Sequence, residues 1–264
     1  MAFAFERDDS GGVTVLLDGH PQSYVHPGDP GLLAFEYVQH LAIVVDVLPA
    51  GVVAVTHVGG AGLTLPRYVE HTRPGSPQIV LEPDVALTEA VRREIPLPKR
   101  HRIRVRGVGG AEGMTALRTG SADLILVDAY ADGQVPAELT GLGWVTEAAR
   151  VLRPGGLLAM NLADEPGLRH THRVAATVST ALPNVGLLAL NEVFKGKRFG
   201  NVVLLASAQP LPEPEFTRRA ASAPFPTAWQ SATVTARRIA GAQPFGTIGE
   251  PSPAPPDPGA WRRR

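Results

Sequence analysis

An α/β protein with a Rossmann-like parallel sheet is the fold this sequence predicts, on three observations. From residue 51 onward, short apolar β-branched runs alternate with stretches of helical spacing, the pattern of parallel strands joined by crossover helices. The first run, Val52 to Val58, breaks into Gly59-Gly60-Ala61-Gly62 and resumes as a helix with Leu63, Leu65 and Tyr68. Such a corner lets backbone approach a ligand and turns a helix N-terminus toward it. The next run, Gln78 to Leu81, ends in Glu82, about twenty residues past the glycines, where such folds place an acid on ribose hydroxyls.

In order along the chain, residues 1–50 read as an N-terminal β segment and helix. Val13 to Leu17 is a strand, Asp18-Gly19 a hairpin turn, and Gln22 to Val25 the return. Gly31 to Leu48 has helical spacing, with Leu32, Phe35, Val38, Leu41 and Ala42 on one face. Residues 51–208 form the nucleoside-binding domain. Its strands read as 52–58, 78–82, 102–107, 123–128, 156–161, 185–191 and 201–206, with helices near 64–71, 85–94, 111–118, 141–152 and 168–182. The last two strands sit close enough to pair as a hairpin, which predicts a methyltransferase-like sheet with one antiparallel edge member. Residues 209–264 are a proline-rich tail holding 11 of the 25 prolines. The tail reads as an irregular wrap anchored by Phe216, Phe225, Trp229, Ile239 and Phe245. Pro251 to Pro258 forms a loose end whose removal would be almost silent.

Composition narrows the function. Twenty-five basic residues balance 25 acidic ones, so nothing pulls the chain toward nucleic acid or a membrane surface, and the arginines at 237–238 and 262–264 read as solvated. Cysteine is absent, which removes disulfides, thiolate metal sites and cysteine nucleophiles. No apolar run reaches the roughly 18–20 residues of a membrane span, and the first residues lack a signal-peptide pattern, so a cytoplasmic protein is expected. No P-loop or nucleophile elbow occurs. His170 and His172 lack an obvious third ligand and read as solvated, so no metal is expected. His57 is either a ligand contact or a core histidine.

LLDGHPQSYV, FEYVQHLA, VGGAGLTLPRY, VLEPD, ADLILVDAYADGQVPAELT, VLRPGGLLAMNL and FGNVVLLAS follow one another in this order. As a series they resemble the spermidine synthase family, the polyamine aminopropyltransferases, over about residues 10–207. That resemblance implies a co-substrate, decarboxylated S-adenosylmethionine, whose propyl carbon is attacked by an amine such as putrescine, releasing methylthioadenosine. It also implies a small N-terminal β domain and a homodimer. By motif position Gly59, Gly60 and Gly62 would line the co-substrate, Glu82 would hold its ribose, and Gln22 would sit beside it. Tyr37 would line the amine site, and Asp128 would act at the end of the fourth strand, unless it only caps the following turn. On this view Glu82 works through the ligand, and its removal should leave stability unchanged.

The departures all fall on carboxylates. The family's second aspartate, three residues past the first, is Ala131 here. Asp132 follows, and Gly133 is expected to let the loop re-aim it as a second catalytic group. Gly62 stands where an acid would meet the aminopropyl ammonium, and Gly109 where one would meet adenine, leaving Glu112 nearby. Where the family has a tyrosine-histidine pair, this chain has Tyr37-Val38. A diamine pocket short of carboxylates would leave an ammonium unpaired, which is costly. Two alternatives therefore stay open: methyl transfer from S-adenosylmethionine to a small acceptor, or a non-catalytic member that binds a nucleoside or dimerises.

Overall fold

In the computed structural model, which describes residues 3–256, two sheets lie in sequence. The smaller is an antiparallel meander of β1 (Phe3–Arg7), β2 (Val13–Leu17) and β3 (His20–Val25). Strand β1 was not legible in the sequence: its FAFER run is short and only half-buried, so it carries little periodic signal. Between β2 and β3 the register slips, pairing Val15 with Ser23 and Leu16 with Pro21. Gln22 is the extra residue of that bulge, which kinks the strand locally.

Helix α1 (Glu36–Val47) leads to the large sheet. The five parallel strands are β4 (Val55–Val58), β5 (Gln78–Leu81), β6 (Ile103–Arg106), β7 (Ala122–Val127) and β8 (Leu152–Asp164). Strands β9 (Asn184–Leu190) and β10 (Gly200–Ser207) follow, and the antiparallel β10 lies inside the sheet between β8 and β9 rather than at its edge as expected, because the chain returns from β9 into the gap beside β8. An eighth strand, β11 (Thr227–Gln230), adds antiparallel to β9. The order β11-β9-β10-β8-β7-β4-β5-β6 reverses direction between β4 and β7. Open α/β sheets bind ligands at the carboxyl ends of strands flanking such a switch. All four residues of β4 are buried, as expected for a strand covered on both faces.

On the large sheet, α4 (Gly110–Thr115), α5 (Leu142–Val151) and α6 (Arg169–Ser179) pack with one core. The second core joins α1 and α2 (Thr64–Thr72) to α8 (Glu213–Ala221). Under the small sheet lies a third, with Leu87 and Val91 of α3 (Val85–Glu94) against Val13 and Val15. Asp84 starts α3 by accepting from the Leu87 N–H at 2.8 Å. A short α7 (Asn191–Phe194) links β9 to β10.

The tail is more regular than its prolines led us to expect. Phe216 on α8 is fully buried and stacks on Trp229 of β11 at 4.7 Å, while α9 (Ala232–Ile239) packs beside β9. Prolines occupy the start of α8 and the flank of β11, where a missing N–H is tolerated. Phe245 is buried too, whereas Phe225 stays exposed. The Pro251–Pro258 stretch, expected to be loose, contains Ser252, which is completely buried. Arg262 to Arg264 lie outside the described residues. No helix among the described residues is long and apolar enough to cross a membrane.

Candidate functional site

The glycine corner after β4 is built by close approach. Gly59 has φ +88°, and a Cβ there would run into the carbonyl oxygen of Asp128, so the ends of β4 and β7 meet backbone to backbone. At Gly60 a Cβ would lie 2.8 Å from Val80 Cγ1, and at Gly62 2.8 Å from Ser23 Cβ. The Gly62 N–H donates to Ser23 Oγ at 2.9 Å, so β3 of the small sheet seats on the corner. The place that lacks an acid is thus filled from the N-terminal sheet. Ser23, next to Gln22, makes this contact. Gln22 itself is half-buried and donates only a long 3.4 Å bond to the His20 carbonyl.

Glu82, at the end of β5, is buried at 9% exposure. Its Oε2 accepts from the N–H groups of Gly60 at 2.8 Å and Ala61 at 3.2 Å, and its Oε1 from Asp84 N–H at 2.9 Å. The carboxylate therefore organises the corner even without a ligand. This corrects the expectation that its removal would leave stability untouched: three backbone donors would lose their acceptor.

Across the switch point lies a second cluster. Asp128 follows β7, and its Oδ1 accepts from Asn161 Nδ2 of β8 at 2.9 Å. Desolvation pushes the Asp128 carboxyl up to about 6, although the Asn161 bond favours its charged form. The residue keeps some exposure as a whole. The hydroxyls of Tyr37 on α1 and of Tyr130, two residues past Asp128, are held well above the usual phenol value. Burial is the main cause, and the Asp128 charge adds to it in both. The electrostatics thus join Tyr37, Asp128 and Tyr130 in one site. Phe35 stacks on Tyr37 at 5.9 Å. Asn161 is 1% exposed, and its Oδ1 has no protein partner, so a buried acceptor beside Asp128 awaits a donor.

Other expected residues lie apart. Asp132 is exposed at the tip of a two-residue turn closed by Ala131 N–H to Gln134 O at 2.9 Å and the reverse bond at 3.0 Å. Both Asp132 (φ +51°) and Gly133 (φ +75°) adopt left-handed geometry, the type I′ chemistry of an Asp-Gly turn. Gly133 fixes the turn rather than freeing it, so Asp132 stays in solvent. Glu112 is exposed on α4. His57 proves to be a core residue: its Nε2 pairs with Gln78 Oε1 at 2.9 Å, and burial lowers its pKa to about 4. His170 and His172 are not solvated either, since burial lowers both and His170 packs on Phe245. No three potential metal-ligating side chains converge among the described residues. Two open clefts beside α9, one of them between α8 and β11, are distant from Glu82 and Asp128 and carry no convergent carboxylates.

Reading the sequence missed Ser23, Tyr130 and Asn161. The DAY tripeptide after a strand was a usable signal for Tyr130. Asn161, inside an apolar run, became visible as a partner only once β7 and β8 paired.

Scans against protein-family models and against curated proteins return no match. Solved structures do match. A probable spermidine synthase from Corynebacterium glutamicum superposes with TM-score 0.85 at 25% identity, covering 92% of each chain. Spermidine synthase from Thermotoga maritima follows with TM-score 0.57 and 18% identity, over 90% of this chain and 80% of that one. Human methyltransferase-like protein 13, in complex with SAH, gives TM-score 0.57 and 19% identity over 81% and 95%. With its small N-terminal sheet seated on a methyltransferase-type Rossmann sheet, this chain has a divergent spermidine synthase-like fold.

Proposed function

We propose that this chain transfers an aminopropyl group from decarboxylated S-adenosylmethionine to an amine. The observation that carries the reading is the Asp128 cluster: a carboxyl raised to about 6, flanked by two tyrosines and a buried amide, across the strand switch from the Glu82 corner. In this reading Glu82 and the glycines hold the nucleoside, and the amine nitrogen sits between Asp128 and Asn161 Oδ1. Its lone pair attacks the propyl carbon, the C–N bond forms as the C–S bond breaks, and methylthioadenosine leaves. The nitrogen's proton passes to Asp128. A base poised near 6 is ionised at pH 7 yet still takes a proton, the balance general-base catalysis favours. Tyr37 and Tyr130 wall the amine and exclude water. The protein works as a homodimer on this reading.

Support for an S-adenosylmethionine-type co-substrate comes from the matching fold and from the SAH-bound neighbour. One observation favours methyl transfer instead. At Gly62, where the family would place an acid for the aminopropyl ammonium, Ser23 fills the space and leaves the donor's tail without that partner. Incubation with each sulfonium donor and a panel of amines tests both readings. Methylthioadenosine formation with the decarboxylated donor is expected. S-adenosylhomocysteine alone would select methyl transfer, and neither product would leave only nucleoside binding.

A further inference from the structure

The segment after α9 passes the start of α5 and then runs back along the loop between β7 and α5, bonding to both. Leu142 N–H donates to Gly246 O at 2.8 Å, Gly143 N–H to Thr247 O at 3.1 Å, and Gly249 N–H to Ala137 O at 3.2 Å. Thr140 Oγ1 donates to Glu250 O at 2.9 Å. Gly141 and Gly249 leave no room for a Cβ on either side: one would meet Gly249 N at 2.6 Å, the other would run into Thr140 Oγ1.

Ser252 closes this zipper. Its N–H donates to Val135 O at 3.1 Å, its Oγ accepts from Val135 N–H at 2.9 Å, and its carbonyl accepts from Gln134 Nε2. Pro255 then lies over Gly133, where a Cβ would be 3.1 Å from its Cγ. Ser252, Val135 and Thr140 are all fully buried. The segment is anchored independently of the loop: Phe245 N–H donates to Thr177 Oγ1 at 2.8 Å, and Arg173 lies 4.0 Å over the Phe245 ring while pairing with Glu250 at 2.8 Å. What it holds is the stretch from Tyr130 to Pro136, which otherwise has only the Ala131–Gln134 bridge as regular structure of its own before a 3-10 turn at Ala137–Leu139.

We propose that Ser252 is a positioning residue for the acceptor half of the crevice. By bonding both backbone groups of Val135, it fixes the loop carrying Tyr130 before any amine arrives. Acceptor binding then depends on a residue more than a hundred positions away that never touches the acceptor, while the Glu82 corner does not depend on it. The kinetic consequence rests on the proposed transfer; the clamp itself does not.

The test compares the full chain with Ser252→Ala and with Glu250→Ala, which breaks only the exposed anchor. Backbone amide exchange is read first. In Ser252→Ala the Gln134 and Val135 amides should exchange at least tenfold faster, and in Glu250→Ala by less. Methylthioadenosine affinity by calorimetry should change less than twofold. In turnover the KM for the amine should rise at least fivefold in Ser252→Ala, with the KM for the sulfonium donor unchanged. Unaltered Val135 protection in Ser252→Ala would overturn the clamp. Equal weakening of nucleoside and amine would also overturn it, showing a general structural role. Faster exchange in a chain whose wild type makes no product would uphold the clamp and refute the transfer reading instead.

Discussion

The crevice has two sides, built in opposite ways. On the glycine side the backbone N–H groups of the turn are already bonded, Gly60 and Ala61 to Glu82 across 22 and 21 residues and Gly62 to Ser23 of the small sheet. On the Asp128 side the groups come from α1, β7 and β8, and the loop between is pinned by Ser252, 117 residues beyond Val135. There a carboxyl and two phenol hydroxyls are desolvated, and Asn161 Oδ1 has no protein partner. One side is a pre-bonded socket, while the other holds unsatisfied polarity in place. A nucleoside can be held by the first with little rearrangement, and the second is where chemistry is expected, because perturbed groups cluster at functional sites.

The largest effect should come from removing the charge on the reactive side. Asp128→Asn should lower the transfer rate by about 10²–10⁴-fold, the range for a lost general base. It should leave nucleoside affinity within about twofold. The same change should raise stability at pH 7 by on the order of 1–2 kcal/mol, after allowing for screening by crevice water. The sign follows from the raised carboxyl. Its stabilising contribution is complete below about 4 and lost as pH climbs through about 6, so the variant should lack that decline. Thermal unfolding across pH 3.5–7 checks it. A stability gain without loss of rate would break the division between the two sides.

Gly59→Ala should come next, because it strikes a point where the two sides meet backbone to backbone. Its φ of +88° and the collision with the Asp128 carbonyl force β4 and β7 apart. A loss of about 3 kcal/mol or more in denaturant unfolding is expected from strain and overpacking together. Nucleoside and amine affinity should fall together, unlike the Asp128 variant.

Glu82→Ala should weaken nucleoside binding at least tenfold, as each hydrogen bond to a charged group contributes about 1.5–3 kcal/mol. It should also lower stability by about 1–3 kcal/mol, since three N–H groups lose their acceptor. Calorimetry and melting together distinguish this from a residue that acts on the ligand alone.

The smallest effect is a control on a core residue that the site does not use. Burial lowers His40 and His57 to about 4, so each contributes stability that is present above about 6.5 and lost as pH falls through 4. His57→Gln should reduce that acid-side loss, leaving the His40 share, and leave transfer and nucleoside binding unchanged. If it altered either, His57 would have to be placed back in the site.

Much of this was legible in the sequence where the signal is local. The parallel strands announced themselves as apolar runs, and the Gly59–Gly62 turn with Glu82 one strand later marked the corner proposed to hold the nucleoside. Tyr37 and Asp128 could be placed by motif, though their mutual approach could not. Tertiary structure decided the rest. Proline content hid the regular structure of residues 209–250, because a proline forbids a central strand or helix interior but not the helix start and strand flank where these prolines lie. The Asp-Gly pair was read as freedom, yet left-handed backbone at both residues makes it a fixed turn that keeps Asp132 in solvent. Asn161 and Ser252 look unremarkable in the chain, one an amide in an apolar strand and the other a serine among prolines. Each acquires its place only through a partner 33 or 117 residues distant, and residue periodicity carries no information about pairing at that range.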